Sequence, residues 1–594
     1  MLDAVAARDP ETRADVAPAP SSTPRRPATG TVVAGVVVGA LTLVNAAWLL
    51  ANRAHGPLDI DEAGYLAQAT AATADIQAGA VIHGPGALWG GSATGPLLPV
   101  LTVPAQLVLG RTAMAGLLAN LAFFVVLGVS TYVLGRRWLD RRWAVLALVV
   151  TLTAPGITAF SRHYVFALAG TATFILALTA LVRSARLTHR RWAVTFGVAV
   201  GLTVLSRTIM IAFLPGLALA GVVAWWQSPR ERRRQELPNL VLAGGAAVLV
   251  AASWYVFSAR AVLDYLLDFG YGSASEDYGV VSMRTAQYWL SDLADVVRHD
   301  LYVPLTIVLG VGSALGAWSW WRAARPAALG RAVRSDAFVV ALPIALAMAA
   351  LLTSRNTGYG FTLPLVPGAV VLATVLTSKI ATDGARTAVA GVLALVAAVN
   401  VAMTSSLLPA LAEHRVAWSN DWTELTITDG RSNIARYVAA ETAYPLEADG
   451  TVPAMHEDWL DAARTTRDEL RAAGAAPGAT RSVIAVDGPM YNLNLLALAG
   501  ELDAEPALRL TAFDPGTAPP TVDTVAAALT DARSQGATTL VTGPDSLAWH
   551  GTVLPLDAVE AGATEAGFTR AGQVTLPDGQ VVTIWAARPD RASP

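Results

Sequence analysis

The sequence contains no cysteine, only one lysine (Lys379) and few charged residues. The absence of cysteine excludes disulfides, thiolate metal sites and cysteine nucleophiles. Charged residues make up 15% of the 594 positions, whereas a soluble chain carries roughly a quarter. The net charge of −3 is too small to indicate a nucleic-acid partner. Hydrophobic residues make up 54% and the mean hydropathy is +0.47, which favours a membrane protein.

Apolar runs long enough to cross a bilayer recur along the first two thirds of the chain. They predict a polytopic α-helical membrane protein with about eleven transmembrane helices between residues 30 and 408. Residues 1–29 are rich in Ala, Pro, Thr and charge, which predicts a disordered tail and not a signal peptide. The predicted spans are 30–52, 112–135, 143–160, 164–182, 191–206, 208–226, 239–257, 301–321, 336–353, 360–378 and 387–408.

Arginine clusters set the predicted orientation. With eleven spans all four clusters fall on one face, which the positive-inside rule makes cytoplasmic. The N-terminus is then cytoplasmic, and the loops 53–111 and 258–300 and the tail 409–594 lie outside. The alanine- and arginine-rich usage fits a GC-rich bacterium, so the expected location is a bacterial plasma membrane. The clusters are Arg136, Arg137, Arg141 and Arg142; Arg183, Arg186, Arg190 and Arg191; Arg230, Arg232, Arg233 and Arg234; and Arg322, Arg325, Arg331 and Arg334.

The tail 409–594 has a different composition and predicts a small extracytoplasmic α/β domain. RSVIAVDG and ATTLVTGPDS are typical of buried strands that end in turn residues, and 521–535 has a helical pattern. QVTLPDGQVVTIWAA predicts a terminal hairpin around Asp578-Gly579. The strand ends carry no glycine fingerprint or phosphate loop, so the tail offers no clear site of its own.

An acidic motif, GPLDIDEAGYL (56–66), follows the first span almost directly. It places Asp59, Asp61 and Glu62 within four residues where the span meets water. One interpretation is a solvated helix start, in which Asp59 or Asp61 is an N-cap and the helix dipole favours the acids. The other is a functional site, because charge at a membrane boundary is costly and often functional.

Three arginines lie in very short external connections, where the topology rule does not require them: Arg162, Arg207 and Arg355. We expect them to project from helix ends towards a common rim, where guanidinium groups suit phosphate. His163, beside Arg162, is a candidate for binding phosphate or acceptor, although a histidine in such a turn is more often only a polar interface residue. An acid able to act as base beside such arginines predicts group transfer from a lipid phosphate.

The order of these features resembles the GT-C superfamily of membrane glycosyltransferases. The closest resemblance is to the branch with protein O-mannosyltransferases and the aminoarabinose transferase that modifies lipid A (family 39-like). Members carry D-E-x-x-Y in the first external loop, here Asp61, Glu62 and Tyr65. The resemblance covers roughly 30–410. Four further segments match in order: GPLLPVLTVPAQLVLG (95–110), YVLGRRW (132–138), GLTVLSRT (201–208, with Arg207 where lysine is usual) and TGYGFTLPLVP (357–367, with Tyr359).

The resemblance implies a sugar donor on a polyprenyl phosphate, used at the outer leaflet among membrane lipids. Asp61 would be the general base for an acceptor hydroxyl, with inversion at the anomeric carbon. The acceptor would be an envelope glycan, lipid or protein. Glu62 would orient it or hold a divalent cation, Mg²⁺ or Ca²⁺; no cofactor is certain. Asp59 departs from the usual motif, so the base is Asp59 or Asp61.

Two other classes of function stay open on the sequence. A transporter or flippase of a lipid-linked glycan would place its charges near the bilayer midplane and often shows inverted repeats. A non-catalytic envelope assembly protein would bind wall polymer through its tail. The transferase interpretation requires Asp61 and the rim arginines to converge on one cavity, whereas a structural protein does not.

Overall fold

The structure, a computed structural model, describes most of the membrane part and most of the tail. The described residues are 29–54, 58–80, 88, 93–272, 289–290, 293–294, 296–324, 332–354, 360–405, 407, 415–419, 424–429, 458–486, 488, 490–505, 507–514, 520–544, 546–548 and 552–588.

A helix occupies each interval that the sequence predicts as a span. Within the described residues six helices are long and apolar enough to cross a membrane, or seven if the bent pair Arg141–Leu152 and Pro155–Ser161 is one span. The others are shorter, so the count of eleven stays a prediction. The remaining helices of this part are Thr29–Asn52, Ala113–Gly135, Ala167–Arg183, Arg190–Ser206, Leu214–Trp226, Arg230–Tyr271, Tyr302–Ala324, Asp336–Leu351, Val366–Thr377 and Asp383–Thr404.

The outward face of the helix bundle is apolar, which is the pattern of a membrane protein. Val248, Leu249 and Phe257 are examples of large apolar side chains left largely exposed. Inside the bundle, small residues allow close helix contacts: a Cβ on Gly316 would lie 1.8 Å from the Leu376 carbonyl oxygen. Such contacts replace the hydrophobic driving force that is missing between helices in lipid.

The arginine clusters meet at one end of the bundle, as the predicted orientation requires. Arg137 lies 2.6 Å and Arg186 3.9 Å from the Asp336 carboxylate. The Gln227 side chain donates to the Val333 carbonyl oxygen at 2.9 Å. Connections after four different helices are thereby joined at the same end.

One helix extends well beyond the span predicted within it. The span predicted at 239–257 is part of a single helix, Arg230–Tyr271, of 42 residues. At 1.5 Å per residue this helix is about 63 Å long, twice the thickness of a bilayer core. Both polar ends continue the helix beyond the apolar window, so its outer end occupies the start of the loop predicted at 258–300.

Two long helices are described within the loop predicted at 53–111. Ile60–Gln77, hereafter the acidic helix, carries the acidic motif at its start, and Leu97–Leu109 forms the proline-containing stretch. The side chain of Gln106 joins them: it donates to the Thr70 hydroxyl and accepts from the Thr73 hydroxyl, both at 2.9 Å. Because these groups are buried, this polar network fixes how the two helices pack.

The tail contains the predicted strands and hairpin. A five-stranded sheet has the order β4-β3-β5-β9-β8. Strand β3 is parallel to β4 and β5, and β9 is antiparallel to β5 and β8. The β8–β9 turn has Gly579 at φ +83°, a conformation that favours glycine. The strands are β1 Arg415–Ser419, β2 Glu424–Asp429, β3 Arg481–Ala485, β4 Arg509–Ala512, β5 Ala537–Thr542, β6 Ser546–Ala548, β7 Thr552–Leu554, β8 Phe568–Thr575 and β9 Val581–Ala587.

The described part of the tail also contains four helices: Trp459–Ala472, Leu493–Leu502, Val522–Ser534 and Leu556–Glu565. Leu493–Leu502, hereafter the docking helix, packs along the acidic helix of the first outer loop. The tail therefore lies at the end of the bundle that carries the acidic motif.

Candidate active site

Asp59 is the N-cap of the acidic helix. Its Oδ1 accepts from the backbone N–H of Glu62 at 2.8 Å, and Glu62 Oε2 accepts from the backbone N–H of Asp59 at 3.2 Å. These two bonds form a capping box, which satisfies two of the free N–H groups at the start of the helix. The sequence allows either Asp59 or Asp61 to be the N-cap, and in the structure the N-cap is Asp59.

Glu62 is buried and ties three segments together. Its Oε2 accepts from Arg53 Nη2 and its Oε1 from the backbone N–H of Tyr164, each at 2.7 Å. Burial acts to raise the pKa of Glu62, but Arg53, His163 and the Tyr164 N–H together hold it below the usual value. Glu62 is thus an ionised carboxylate that joins the end of the first helix, the acidic helix and the 162–164 turn.

Asp61 points elsewhere and is half-buried. Its carboxylate accepts a hydrogen bond from the Tyr65 hydroxyl one turn later and lies within Coulombic reach of Arg207. Burial raises the pKa of Asp61, although Arg207 and Tyr65 oppose the shift. Among the three motif acids, Asp61 is the one that interacts with the side chains of Tyr65 and Arg207 and not with the helix cap.

Aromatic rings line the surroundings of Asp61. The ring of Tyr65 lies 4.0 Å from that of Phe166, between centroids. The guanidinium of Arg207 stacks over Phe361 at 4.3 Å. Tyr265, from the outer end of the long helix, lies near the Tyr65 hydroxyl. These ring contacts pack the side chains of Tyr65 and Arg207 on either side of the Asp61 surroundings.

Arg162 does not project to a common rim, and that expectation is wrong. Its Nε donates to Asn45 Oδ1 at 2.8 Å, and its Nη2 donates to the Ser405 hydroxyl at 3.0 Å. Its Nη1 donates to the Thr404 carbonyl oxygen, and the guanidinium lies 4.3 Å from the Trp48 ring centroid. Arg162 is only 2% exposed, because these contacts hold it between the first helix and the helix that ends at Thr404.

We expect Arg162→Met to lower stability by about 1–3 kcal/mol, because it leaves the buried acceptors of Asn45 and Thr404 without their donor. The affinity for a lipid phosphate should stay within twofold of the parent. Thermal unfolding and donor titration in detergent measure the two quantities. Weaker donor binding with unchanged unfolding would show that Arg162 contacts the phosphate after all.

His163 is buried beside Glu62. The ligating atoms of Asp59, Glu62 and His163 all lie within 4.8 Å of one another. The buried Arg53 guanidinium already holds Glu62, and a dication sharing that carboxylate would meet a like charge in a low-dielectric site. With two carboxylates and one imidazole, the cluster also offers fewer oxygen ligands than the six or more that Mg²⁺ or Ca²⁺ prefers.

The predicted site residues thus divide into three groups. Asp61, Tyr65 and Arg207 interact with one another, while Asp59, Glu62 and His163 form a second, buried cluster. Arg162 lies apart. The remaining two, Arg355 and Tyr359, lie outside the described residues.

Sequence reasoning missed Arg53, whose side chain is fully buried. The sequence contains a sign that Arg53 is unusual: it directly follows the first predicted span, on the predicted outer side, where the positive-inside rule disfavours arginine. It also missed the tail contact with the acidic helix, for which no local pattern exists: the Asn494 side chain donates to the Ile60 carbonyl oxygen at 2.8 Å.

Comparison with known proteins identifies the fold. No protein-family model matches the sequence, and no curated protein does either. Among solved structures, ArnT from Cupriavidus metallidurans bound to undecaprenyl phosphate matches with a TM-score of 0.55 at 16% identity, over 94% of this chain and 98% of that one. The arabinofuranosyltransferase AftD from Mycobacteria matches with a TM-score of 0.52 at 13% identity, over 94% of this chain and 42% of that one. The chain therefore has the GT-C fold that its motifs resemble.

Proposed function

We propose that this protein is a glycosyltransferase that moves a sugar from a polyprenyl phosphate to a hydroxyl of an envelope acceptor. The observation that carries the proposal is that Asp61 interacts with the Tyr65 hydroxyl and lies within Coulombic reach of Arg207. This arrangement joins a carboxylate that can take a proton to a cation that can hold a phosphate. The chemistry of group transfer from a lipid phosphate needs both groups close together.

The transfer is a single displacement with inversion. The acceptor O–H gives its proton to the Asp61 carboxylate while its oxygen forms a bond to the anomeric carbon. The bond from that carbon to the phosphate oxygen breaks, and its electron pair leaves with the polyprenyl phosphate. Arg207 balances the negative charge that grows on the leaving phosphate. Atoms and charge balance without a nucleotide or a redox partner.

The environment of Asp61 suits a general base. Because burial raises its pKa above the usual value, the carboxylate binds a proton more strongly than an exposed aspartate, and a base whose pKa lies closer to the working pH is more effective. Tyr65 orients the carboxylate through its hydroxyl. We assign Asp59 to the helix cap and Glu62 to the support of the first turn.

No step is routed through a metal ion. Asp59, Glu62 and His163 are the residues that would hold a divalent cation, but the carboxylate of Glu62 is already paired with Arg53. We therefore propose that this cluster is structural and that Arg207 supplies the positive charge for the phosphate.

The fold supports the choice of donor. ArnT, which shares it, was solved with undecaprenyl phosphate bound. For this chain we propose a polyprenyl-phosphate donor and an acceptor that is an envelope glycan, lipid or protein. We further propose eleven spans in a bacterial plasma membrane, the N-terminus inside and the tail outside, since the arginine clusters meet at the end opposite the acidic helix.

Arg207→Ala should weaken binding of polyprenyl phosphate about 10- to 100-fold, because a hydrogen bond to a charged group contributes about 1.5–3 kcal/mol. Arg207→Lys should recover only part of the affinity, since an ammonium cannot grip two phosphate oxygens in parallel. Titration of the purified protein with polyprenyl phosphate measures both.

The matched control is Arg322→Ala. The Arg322 guanidinium also stacks on an aromatic ring and lies 4.7 Å from the Trp318 ring centroid. Arg322 is in the last turn of the helix Tyr302–Ala324, away from Asp61. It should leave donor affinity unchanged. If Arg207→Ala bound polyprenyl phosphate as tightly as the parent, Arg207 would not be part of the phosphate site.

A further inference from the structure

The docking helix touches the acidic helix at its first turn. Asn494 Nδ2 donates to the Ile60 carbonyl oxygen at 2.8 Å. The two residues are 434 positions apart in the sequence. Their hydrogen bond links the tail to the helical turn that carries the motif acids. It therefore couples the position of the tail directly to the start of the acidic helix.

The carbonyl that accepts this bond belongs to the peptide unit between Ile60 and Asp61. That unit is planar, so a contact that fixes its oxygen also fixes the Cα of Asp61. From the other side, Glu62 holds the same turn through Arg53 and the Tyr164 N–H. Asp61 thus lies on a turn that is held by the membrane part on one side and by the tail on the other.

Gly64 shows how closely the two helices approach. A Cβ at Gly64 would lie 2.9 Å from Asn494 Nδ2 and 3.2 Å from its Cγ. Alanine is the better helix former, so glycine here leaves room for the Asn494 amide. Any side chain at 64 would displace the amide from the Ile60 carbonyl.

A second contact fixes the other end of the docking helix. Arg111, in the connection that follows Leu97–Leu109, donates through Nε to the Leu502 carbonyl oxygen at 3.3 Å. Because Arg111 holds the last turn of the docking helix to the membrane part, Asn494 is not free to drift away from the acidic helix. The tail is thus attached at both ends of this contact.

We propose that Asn494 is a positioning residue: the tail holds the catalytic base in place through the Asn494–Ile60 bond, with Gly64 providing the space. This inference rests on the proposed function, since it takes Asp61 as the base. Asn494 touches no reacting atom. The tail would accordingly set the rate of the chemical step as well as any contact with acceptor.

Three single variants test the bond. Asn494→Ala removes the amide, Asn494→Leu keeps its volume without a donor, and Gly64→Ala displaces it. Each should lower kcat for sugar transfer about tenfold, the change expected for one hydrogen bond, while the affinity for polyprenyl phosphate stays within twofold. Amide hydrogen exchange over residues 60–66 should be faster in all three.

A double variant makes the test specific. If Gly64 serves only to admit the Asn494 amide, Gly64→Ala combined with Asn494→Ala should be no slower than Asn494→Ala alone. Asp503→Asn is the control, because Asp503 pairs with Arg464 within the tail and makes no described contact with the acidic helix. It should transfer sugar at the parent rate. The proposal would be overturned if the losses in kcat of the two single variants multiplied in the double variant. It would also be overturned if Asn494→Ala changed neither kcat nor amide hydrogen exchange.

A failure of the proposed transferase function can be distinguished from a failure of the Asn494 positioning contact. If the parent consumed no polyprenyl-phosphate sugar, the transferase proposal would fail. Hydrogen exchange over 60–66 would then still report whether Asn494 holds the turn: faster exchange in Asn494→Ala but not in Asp503→Asn supports the positioning contact, and equal exchange refutes it.

Discussion

Asp61→Asn should lower sugar transfer by at least about 10²-fold, the lower range for a lost general base. The amide nearly matches the carboxylate in shape and still accepts from the Tyr65 hydroxyl, so the protein should remain folded and bind donor. Product formation by mass spectrometry, with donor titration on the same sample, separates the two effects. Transfer at the parent rate would exclude Asp61 as the base.

The neighbouring acids are the controls for this variant. Asp59→Asn should cost little, because asparagine caps a helix as well as aspartate does. Glu62→Gln should fall between the two, since it disturbs the support of the turn without touching the acceptor. If Asp59→Asn lost transfer while Asp61→Asn kept it, the base would be Asp59 and the motif alignment two residues out.

The pH profile gives an independent measure of Asp61. A general base must be deprotonated, so kcat/KM should fall as the pH drops through the Asp61 pKa. Because burial raises that pKa above 3.8, the acid limb should lie above the range of an exposed aspartate. The limb assigned to Asp61 should be missing from the residual activity of Asp61→Asn.

Arg53→Met should lower the free energy of unfolding by about 3 kcal/mol, because it leaves the buried Glu62 carboxylate without its cation. Both side chains are almost fully buried, at 0% and 1% exposure, so solvent does not screen the pair. Denaturant or thermal unfolding in detergent measures the change. Unchanged stability would show that the pair contributes nothing to the fold.

Two comparisons sharpen this result. Adding Glu62→Gln to Arg53→Met should recover part of the loss, since a neutral amide needs no cation. In the parent, the depressed pKa of Glu62 gives stability that is present above its ordinary value of 4.5 and lost as the pH falls through the lower folded-state value. In Arg53→Met this cation no longer lowers the pKa of Glu62, so the loss of stability on acidification should be smaller than in the parent.

The helices and the tail strands could be predicted because their signals are local. Apolar runs and strand alternation depend only on neighbours in sequence, and helices are present at all predicted spans. The full length of one helix could not be predicted in this way. The helix Arg230–Tyr271 continues beyond its apolar window into polar sequence, where hydropathy gives no signal.

The site could be predicted only in part, because side-chain direction is not a local property. The D-E-x-x-Y spacing placed Asp61 and Tyr65 one helical turn apart, and they meet. Arg162 and Arg207 occupy similar short turns, yet one is buried against Asn45 and the other stacks on Phe361. Packing of distant segments decides between these outcomes.

The most direct test of the central claim is to offer the purified protein a panel of polyprenyl-phosphate sugars with envelope glycan, lipid and protein acceptors, and to follow the donors by mass spectrometry. We predict that at least one donor is converted to free polyprenyl phosphate with a glycosylated acceptor of inverted anomeric configuration, and that Asp61→Asn does not catalyse this. Use of a nucleotide sugar while every polyprenyl-phosphate sugar stays intact would contradict the account.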